Sequence, residues 1–563
     1  MSSEAPTYYK QLNTPMAFVL LSWVLSIGYV LTLLAQLFFK PETSIISKTT
    51  FAISLLCAEF AFYCSAVIAY RVWFHPLGKY PGPFLAKFTD WYSVYHCMRG
   101  DRHIDFYKLH CKYGPVVRYG PHRISMNTSK ALREIYHVRS NCQKSQLFIV
   151  FSHFFKVQSI MTTLHRKEHA LKRRIVTEAL APYSLKQMES RVMQNVRIFC
   201  DKMIDNPIDK NNVWNSARNM SEWCGWLAND IMGDITFHRN WKMLESEDHR
   251  DVITILSRGV GGLITMAHMP RLLDLKLDKI FFRRATEDTY KVEKLSTERT
   301  NWRLGQRDNI KERDIFGTLA AVQDSETKRC LTREELIAET AFFIIAGADT
   351  TGSAMTATIF YLLHNPNCYQ RLQEEVLSSF TSLEDIHSGK QLDQCLYLHA
   401  CITEAMRLSP GVGGILPREV LQPGMWVDKH FFPPGTDVGV SNYAIHHNIE
   451  YFPSPFTFKP ERWLSDSVCE GGVSVQEVKL AQSAYSPFGV GRTNCVGQNL
   501  AYQEIMTVIA RLLFLYDMRI KPGTTMGEGS VELGPDRCRK DELQTWDRFV
   551  SYHEGPMVEF RPR

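Results

Sequence analysis

The 563-residue chain has no long run of one charge sign, no internal repeat, no C-x-x-C pair and no G-x-G-x-x-G after a strand-like segment. Each absence removes a class of function. A net charge of +6 spread over so long a chain leaves no basic stripe for nucleic acid, so no nucleic-acid partner is expected. Fourteen cysteines scattered without short regular spacing make neither a disulfide scaffold nor a zinc ribbon. Such scatter favours a reducing compartment, where most thiols are buried and at most one or two carry chemistry. The chain lacks a dinucleotide fingerprint, and too few residues follow Cys495 for flavin or nicotinamide domains. Any electrons it uses are therefore expected from another protein.

What is present begins with apolar sequence. No charge occurs between Gln11 and Phe39, and residues 16–39 are almost continuously apolar. A bilayer-crossing helix needs ~20 such residues, more than the ~7–15 of a cleaved signal peptide, so 16–39 is expected to be a retained transmembrane helix. Residues 49–70 form a second apolar run broken by Glu59, expected either as a second span with the carboxylate shielded or as an interfacial segment. Arg71, Lys79 and Lys87 come next and favour a body on the cytosolic side. Tyr80-Pro-Gly-Pro83 makes a stiff turn, because proline fixes its own φ and keeps the preceding residue out of helix. The expected organisation is a membrane anchor over residues 1–74 and a large body over 75–563.

With 45% hydrophobic and 22% charged residues, the chain can bury a core large enough to enclose a prosthetic group and a small substrate. The first half of the body has a mainly helical pattern with breaks such as Ala181-Pro182 and Asn206-Pro207. Thr332-Arg-Glu-Glu335 is a capping box, and the helix it opens is expected to reach His364, before Asn365-Pro366. Its apolar middle places it inside the core. After Pro410 proline, glycine and short β-type runs such as Gly435–Val440 take over, followed by a helix from about Val496 to Leu515 and a β-like tail at Met557–Phe560. The fold class expected is mainly α with smaller β-sheet regions.

Phe488-Gly-Val-Gly-Arg-Thr-Asn-Cys-Val-Gly497 brings a cysteine to the start of a helix behind two glycines. Glycines let the loop pass close under a flat ligand, and the positive helix end favours a thiolate ready for metal. In the long helix, Ala346-Gly-Ala-Asp-Thr-Thr351 places a glycine where it costs ~1 kcal/mol relative to alanine. The expected compensation is a local opening toward which Asp349 and Thr350 turn. Glu404 and Arg407 are helix neighbours, with Arg462 available as a further partner. His165-Arg-Lys-Glu-His169 fits an inverted zinc-peptidase pattern, but the cations Lys172, Arg173 and Arg174 on the same helix oppose a zinc dication.

Together these motifs resemble those of the cytochrome P450 family, in the right order over roughly residues 75–563, and Phe74–Pro83 is similar to its membrane-bound fungal members. Phe488, Gly491, Cys495 and Gly497 match the family's haem-binding loop. One position departs, because Thr493 stands where the family usually has arginine and Arg492 comes one place earlier. The resemblance implies the cytochrome P450 fold and haem b with Cys495 as the axial metal ligand. It implies cofactor contacts from Phe488, Gly491 and Arg492, with His169, Arg173 and Arg418 as candidates for the haem's acid groups. Asp349 and Thr350 take the catalytic role of delivering protons during oxygen activation, and the Glu404–Arg407–Arg462 group a structural one.

The function implied is a haem-thiolate monooxygenase acting on a hydrophobic small molecule in fungal secondary metabolism, at the endoplasmic reticulum membrane and facing the cytosol. Its electrons come from NADPH-cytochrome P450 reductase, docked on a basic face expected to include Arg166, Lys167, Lys172 and Arg174. The alternatives are a relative that rearranges peroxides, against which Asp349 and Thr350 speak, and a non-catalytic haem sensor. Phe342, Phe343 and Gly411–Leu416 are expected to line the substrate pocket.

Overall fold

Apolar side chains that no core covers mark the amino-terminal helix α1, Ile45–Ala69, which Ser44 caps and a π-helical turn, Tyr70–Phe74, extends. Ile53, Leu56, Phe60 and Phe62 are exposed, and Thr49–Phe74 is long enough and apolar enough to cross a bilayer. The computed structural model describes residues 44–205 and 214–563, with Val24, Ile27 to Tyr29, Leu31, Thr32 and Ala35. Apart from those few, the span expected at 16–39 lies outside the described residues, as does the break at Asn206-Pro207.

The stiff turn after α1 is docked on the body. Tyr80 is buried, Arg118 N donates to Pro81 O at 2.7 Å, and a Cβ on Gly82 would lie 2.1 Å from Arg118 O. The buried Arg118 guanidinium also donates to Arg71 O, Lys87 O and Pro121 O, tying the end of the apolar helix to the first sheet.

That sheet holds β1 (Val116–Gly120), β2 (Arg123–Met126), β3 (Cys142–Lys144), β4 (Arg418–Val420) and β5 (Asp437–Val440), in the order β1-β2-β5-β4-β3. Only β2 and β5 pair in parallel; the other neighbours are antiparallel. Val117, Ile124 and Val438 are fully buried there. The helical reading of the first half misses β1 to β3: β1 forms a local antiparallel pair with β2, and β2 and β3 are completed by partners at residues 437–440 and 418–420, far along the chain.

The helices that build the site are α2 (Arg166–Ala179), α3 (Met220–Phe237), α4 (Asp251–Ala267), α5 (Arg283–Gly305), α6 (Arg333–His364), α7 (Leu396–Leu408) and α8 (Gln498–Leu515). Helix α6 is the long helix expected from sequence. The Thr332 side chain accepts from Glu335 N while Glu335 Oε2 accepts from Thr332 N, and 32 helical residues follow. At ~1.5 Å per residue it crosses the body. Its Met355, Ile359 and Phe360 are fully buried, and it packs on α3, α7 and α8. The hairpin of β6 (Thr545–Arg548) and β7 (Val550–His553) closes over α4 and reaches α6, where Ser353 Oγ donates to Ser551 O at 3.2 Å. The tail forms the strand Met557–Pro562, as its β-like sequence suggests.

Candidate functional site

A cavity of about 370 Å³ lies between α6 and the loop Phe488–Gly497. The loop is closed by Cys495 N donating to Phe488 O at 2.7 Å, and Gly489 and Gly491 both take positive φ. A Cβ on Gly491 would sit 2.0 Å from Tyr136 O, so only glycine lets the loop lie this close to the body. Cys495 stands three residues before α8 and lines the cavity, its side chain accessible although protein surrounds it on most sides. Burial pushes the thiol up, while a hydrogen bond from the Gly497 amide and the charge of Arg173 pull it down; burial prevails. The expected helix-end effect is thus present but outweighed, and a bound metal would deprotonate the sulfur outright.

Four basic residues converge on one edge of the cavity: His169 and Arg173 of α2, Arg418 of β4 and Lys144 of β3. Their partners are neutral. Arg418 donates to Leu416 O, Pro417 O and Thr493 Oγ1, Arg173 to Asn494 O and Oδ1, and Lys144 to Ile160 O and Met161 O. Burial lowers the pKa of Lys144, with the Arg418 charge adding to it, and pushes His169 to about 3, so His169 is neutral. Lys144 carries no motif. Its place follows from the pairing of β3 with β4, which sets it directly opposite Arg418. Like charges at such a position are unfavourable unless an anion joins them.

Phe488 and Thr493 are on the wall, whereas Gly491 shapes the loop from behind it. Arg492 is not on the wall and donates instead to Cys142 O at 3.0 Å. The exchange of arginine for threonine at 493 leaves a hydroxyl that receives the Arg418 guanidinium at 2.8 Å.

On α6, Gly347 and Thr350 line the cavity, and the helix runs through them without a break. The expected opening is replaced by close packing, since a Cβ on Gly347 would lie 2.6 Å from Met232 Sδ of α3. Thr350 Oγ1 donates back to Ala346 O at 2.6 Å. Asp349 lies beside it but off the wall, and burial raises its carboxyl from 3.8 to about 7. Phe342, Phe343, Gly411, Val412 and Leu416 are on the wall, whereas Gly413, Gly414 and Ile415 of the expected stretch are not.

The Glu404 group is brought together below. Its carboxylate receives Arg407 Nε and Nη2, Arg462 Nε and Trp463 Nε1, each at 2.9 Å, and Lys459 N at 3.0 Å. Burial would raise Glu404, but Arg407 and Arg462 hold it below the usual carboxylate value. Trp463 and Lys459 add partners that the helix spacing does not announce.

The zinc-peptidase pattern is not assembled: Glu168 pairs with Arg329 at 2.8 Å, and no cluster of metal-binding side chains occurs among the described residues. The basic face also changes. Lys172 is buried against Glu335 at 2.9 Å, and Arg174 pairs with Asp324, so neither is a free cation on that surface. Arg166 donates to Ser140 O and Cys142 O, and Lys167 stays exposed. Two features lie beyond sequence reasoning. Glu504 of α8 and Glu339 of α6 are buried carboxylates, each with one oxygen that has no hydrogen-bond partner.

A single thiol beneath an apolar wall, with cations lacking carboxylate partners at one edge, fits a flat metal-bearing ring with acidic substituents such as haem. The comparisons agree. The Cytochrome P450 family model matches residues 79–529. The chain is similar to cytochrome P450 monooxygenase AKT7 of Alternaria alternata, with 36% identity over 90% of this chain and 97% of the relative. It is 35% identical to cytochrome P450 monooxygenase apf7 of Gibberella fujikuroi over 90% of this chain and 97% of that protein. It also shares 34% identity with cytochrome P450 monooxygenase atnE of Emericella nidulans, over 92% and 99%.

Proposed function

The chain belongs to the cytochrome P450 family, and from that premise we propose that it inserts one atom of dioxygen into a neutral, hydrophobic small molecule held against α6. Family membership brings a haem-thiolate cofactor and electrons from a reductase that draws on NADPH. When bound, the haem supplies the redox chemistry that activates dioxygen. The observation that carries the reading is the joint presence of Cys495 and Thr350 on one cavity whose remaining wall is largely apolar.

Cys495 supplies the thiolate ligand, and the Phe488–Gly497 loop holds it with Cys495 N anchored on Phe488 O. Arg418 and Arg173 receive the haem's acid groups. His169, neutral in the free cavity, adds a hydrogen bond there. Arg492, turned toward Cys142 O, supports the loop from outside and gives up the cofactor contact drawn from the motif. Thr350 holds a proton at Oγ1 in its bond to Ala346 O, and Asp349, raised to about 7, passes protons at neutral pH. These two groups favour oxygen insertion over peroxide rearrangement or haem sensing. Phe151, Phe342, Phe343 and Phe549 exclude water and orient an apolar substrate.

The apolar α1 and the run at 16–39 anchor the body, residues 75–563, to the cytosolic face of the endoplasmic reticulum membrane. The exposed apolar face of α1 supports this placement. The substrate belongs to secondary metabolism, as a terpenoid, polyketide or alkaloid intermediate. The test compares metabolites of a strain lacking the protein with its parent, then supplies the accumulated compound to purified protein with reductase, NADPH and isotopically labelled dioxygen. One labelled oxygen atom in the product is expected; a product without label contradicts the reading.

A further inference from the structure

Between β3 and α2 the turn Ser159–Thr163 has no regular secondary structure, yet Ser159 to Thr162 line the cavity beside Ala338 and Phe342 of α6. Inside the turn, Ser159 N donates to Thr162 Oγ1 and Ser159 O accepts from Thr162 N and Thr163 N. Two ionisable side chains, half-buried Lys144 and fully buried Glu339, grip it from opposite sides. Lys144 Nζ donates to Ile160 O at 2.5 Å and Met161 O at 2.9 Å, while Glu339 Oε1 of α6 accepts from Ile160 N at 2.8 Å. Glu339 is fully buried, and burial raises its carboxyl from 4.5 to about 7 against the pull of Lys172, whose Nζ lies 3.4 Å away and is itself held by Glu335 at 2.9 Å.

A buried carboxylate is costly, and this one keeps a second oxygen without a hydrogen-bond partner. An apolar residue would pack into α6 without that cost. What the carboxylate provides is a strong acceptor for an amide that would otherwise be buried and unbonded. Because the turn has no ladder of its own, its position over the cavity depends on these few bonds.

We propose that Glu339 is a positioning residue that fixes the Ser159–Thr163 turn against α6 through the Ile160 amide, and thereby sets how large a molecule the cavity admits. The proposal rests on the reading of this cavity as the haem and substrate site. Ile160 and Met161 form a wall held inward by Glu339 and Lys144. Releasing the amide lets that wall retreat, so bulky ligands gain relative to small ones.

The test uses the full-length haem protein with Glu339→Leu and Glu339→Gln, the latter keeping an oxygen that accepts from Ile160 N. Hydrogen exchange reads the turn directly, and spectral titration with imidazole and 4-phenylimidazole reads the cavity. In Glu339→Leu the turn amides are expected to exchange about tenfold faster, as loss of one buried hydrogen bond allows, with α8 unchanged. The affinity ratio is expected to move roughly fivefold to tenfold toward 4-phenylimidazole, whereas Glu339→Gln stays near the parent on both readouts. Unchanged turn exchange in Glu339→Leu overturns the proposal, as does an equal shift in both variants. If neither azole gave a spectral shift in the parent, the reading of the cavity would fall, while the exchange comparison would still decide the role of Glu339.

Discussion

Glu504 is almost completely buried on the cavity wall, and burial alone raises its carboxyl from 4.5 to about 8. A carboxyl raised in the folded state keeps a proton that the unfolded chain releases. It therefore lowers stability as pH rises from 4.5 to about 8, with no further change above. Glu504→Gln removes that loss, so its unfolding midpoint relative to the parent should climb between about pH 5 and about pH 8.5. A pH-independent difference in thermal scans would mean that Glu504 has a counter-charge. Thr350→Ala tests the proton path. Alanine suits a helix, so folding and haem content are expected to persist, while product formed per NADPH oxidised falls about tenfold or more and hydrogen peroxide rises. An unchanged ratio would reassign Thr350 to packing. Cys495 and Thr350 could be singled out in the sequence because each sits in a dense local motif, and Arg418 only through the family resemblance; all three line the cavity. Lys144 and Glu339 could not be singled out, since one is placed by a strand pairing and the other by a turn that folds back across α6.

At the scale of elements, α4 and α5 approach so closely that a Cβ on Gly262 would lie 2.2 Å from Ala285 Cβ. Helix propensity favours alanine over glycine by ~1 kcal/mol, whereas overpacking at such a contact costs ~1–3 kcal/mol. Gly262→Ala should therefore lower the unfolding midpoint, and adding Ala285→Gly should restore most of the loss. A stabilised single variant would show that the two helices separate freely. Gly347 differs, because the atom it meets is the flexible end of Met232, which can move aside. The ends of α6 were readable in advance from the capping box and from Asn365-Pro366, both local signals. Strands β2 and β3 were hidden because they pair with residues far along the chain, and β1 was hidden with them because its only strand partner is β2. Helix α8 begins at Gln498, two residues after the expected start, since Val496 and Gly497 complete the turn that presents Cys495.

Across the whole molecule, the junction between the apolar helix and the body is a docked turn, with Arg118 reaching back to Arg71 O. Removing residues 1–74 takes away only one of the three carbonyls that this guanidinium holds, leaving Lys87 O and Pro121 O. The truncated protein should leave the membrane fraction largely while its ratio of haem to protein stays near that of the full chain. Loss of haem on truncation would mean that anchor and body fold as one unit. The exposed apolar residues Phe84, Leu85, Ile280 and Phe281 lie on the part that remains, so some residual membrane binding is compatible with this outcome.

The central claim is that Cys495, held by its loop at the base of the cavity, is the thiolate ligand of a haem. The most direct measurement is the absorption spectrum of the reduced, carbon monoxide-treated protein with Cys495→Ser beside the parent. The parent is predicted to show the red-shifted Soret band that a thiolate donor produces, and the serine variant to lose it because a hydroxyl cannot replace that donor. Retention of the band in Cys495→Ser would contradict the account.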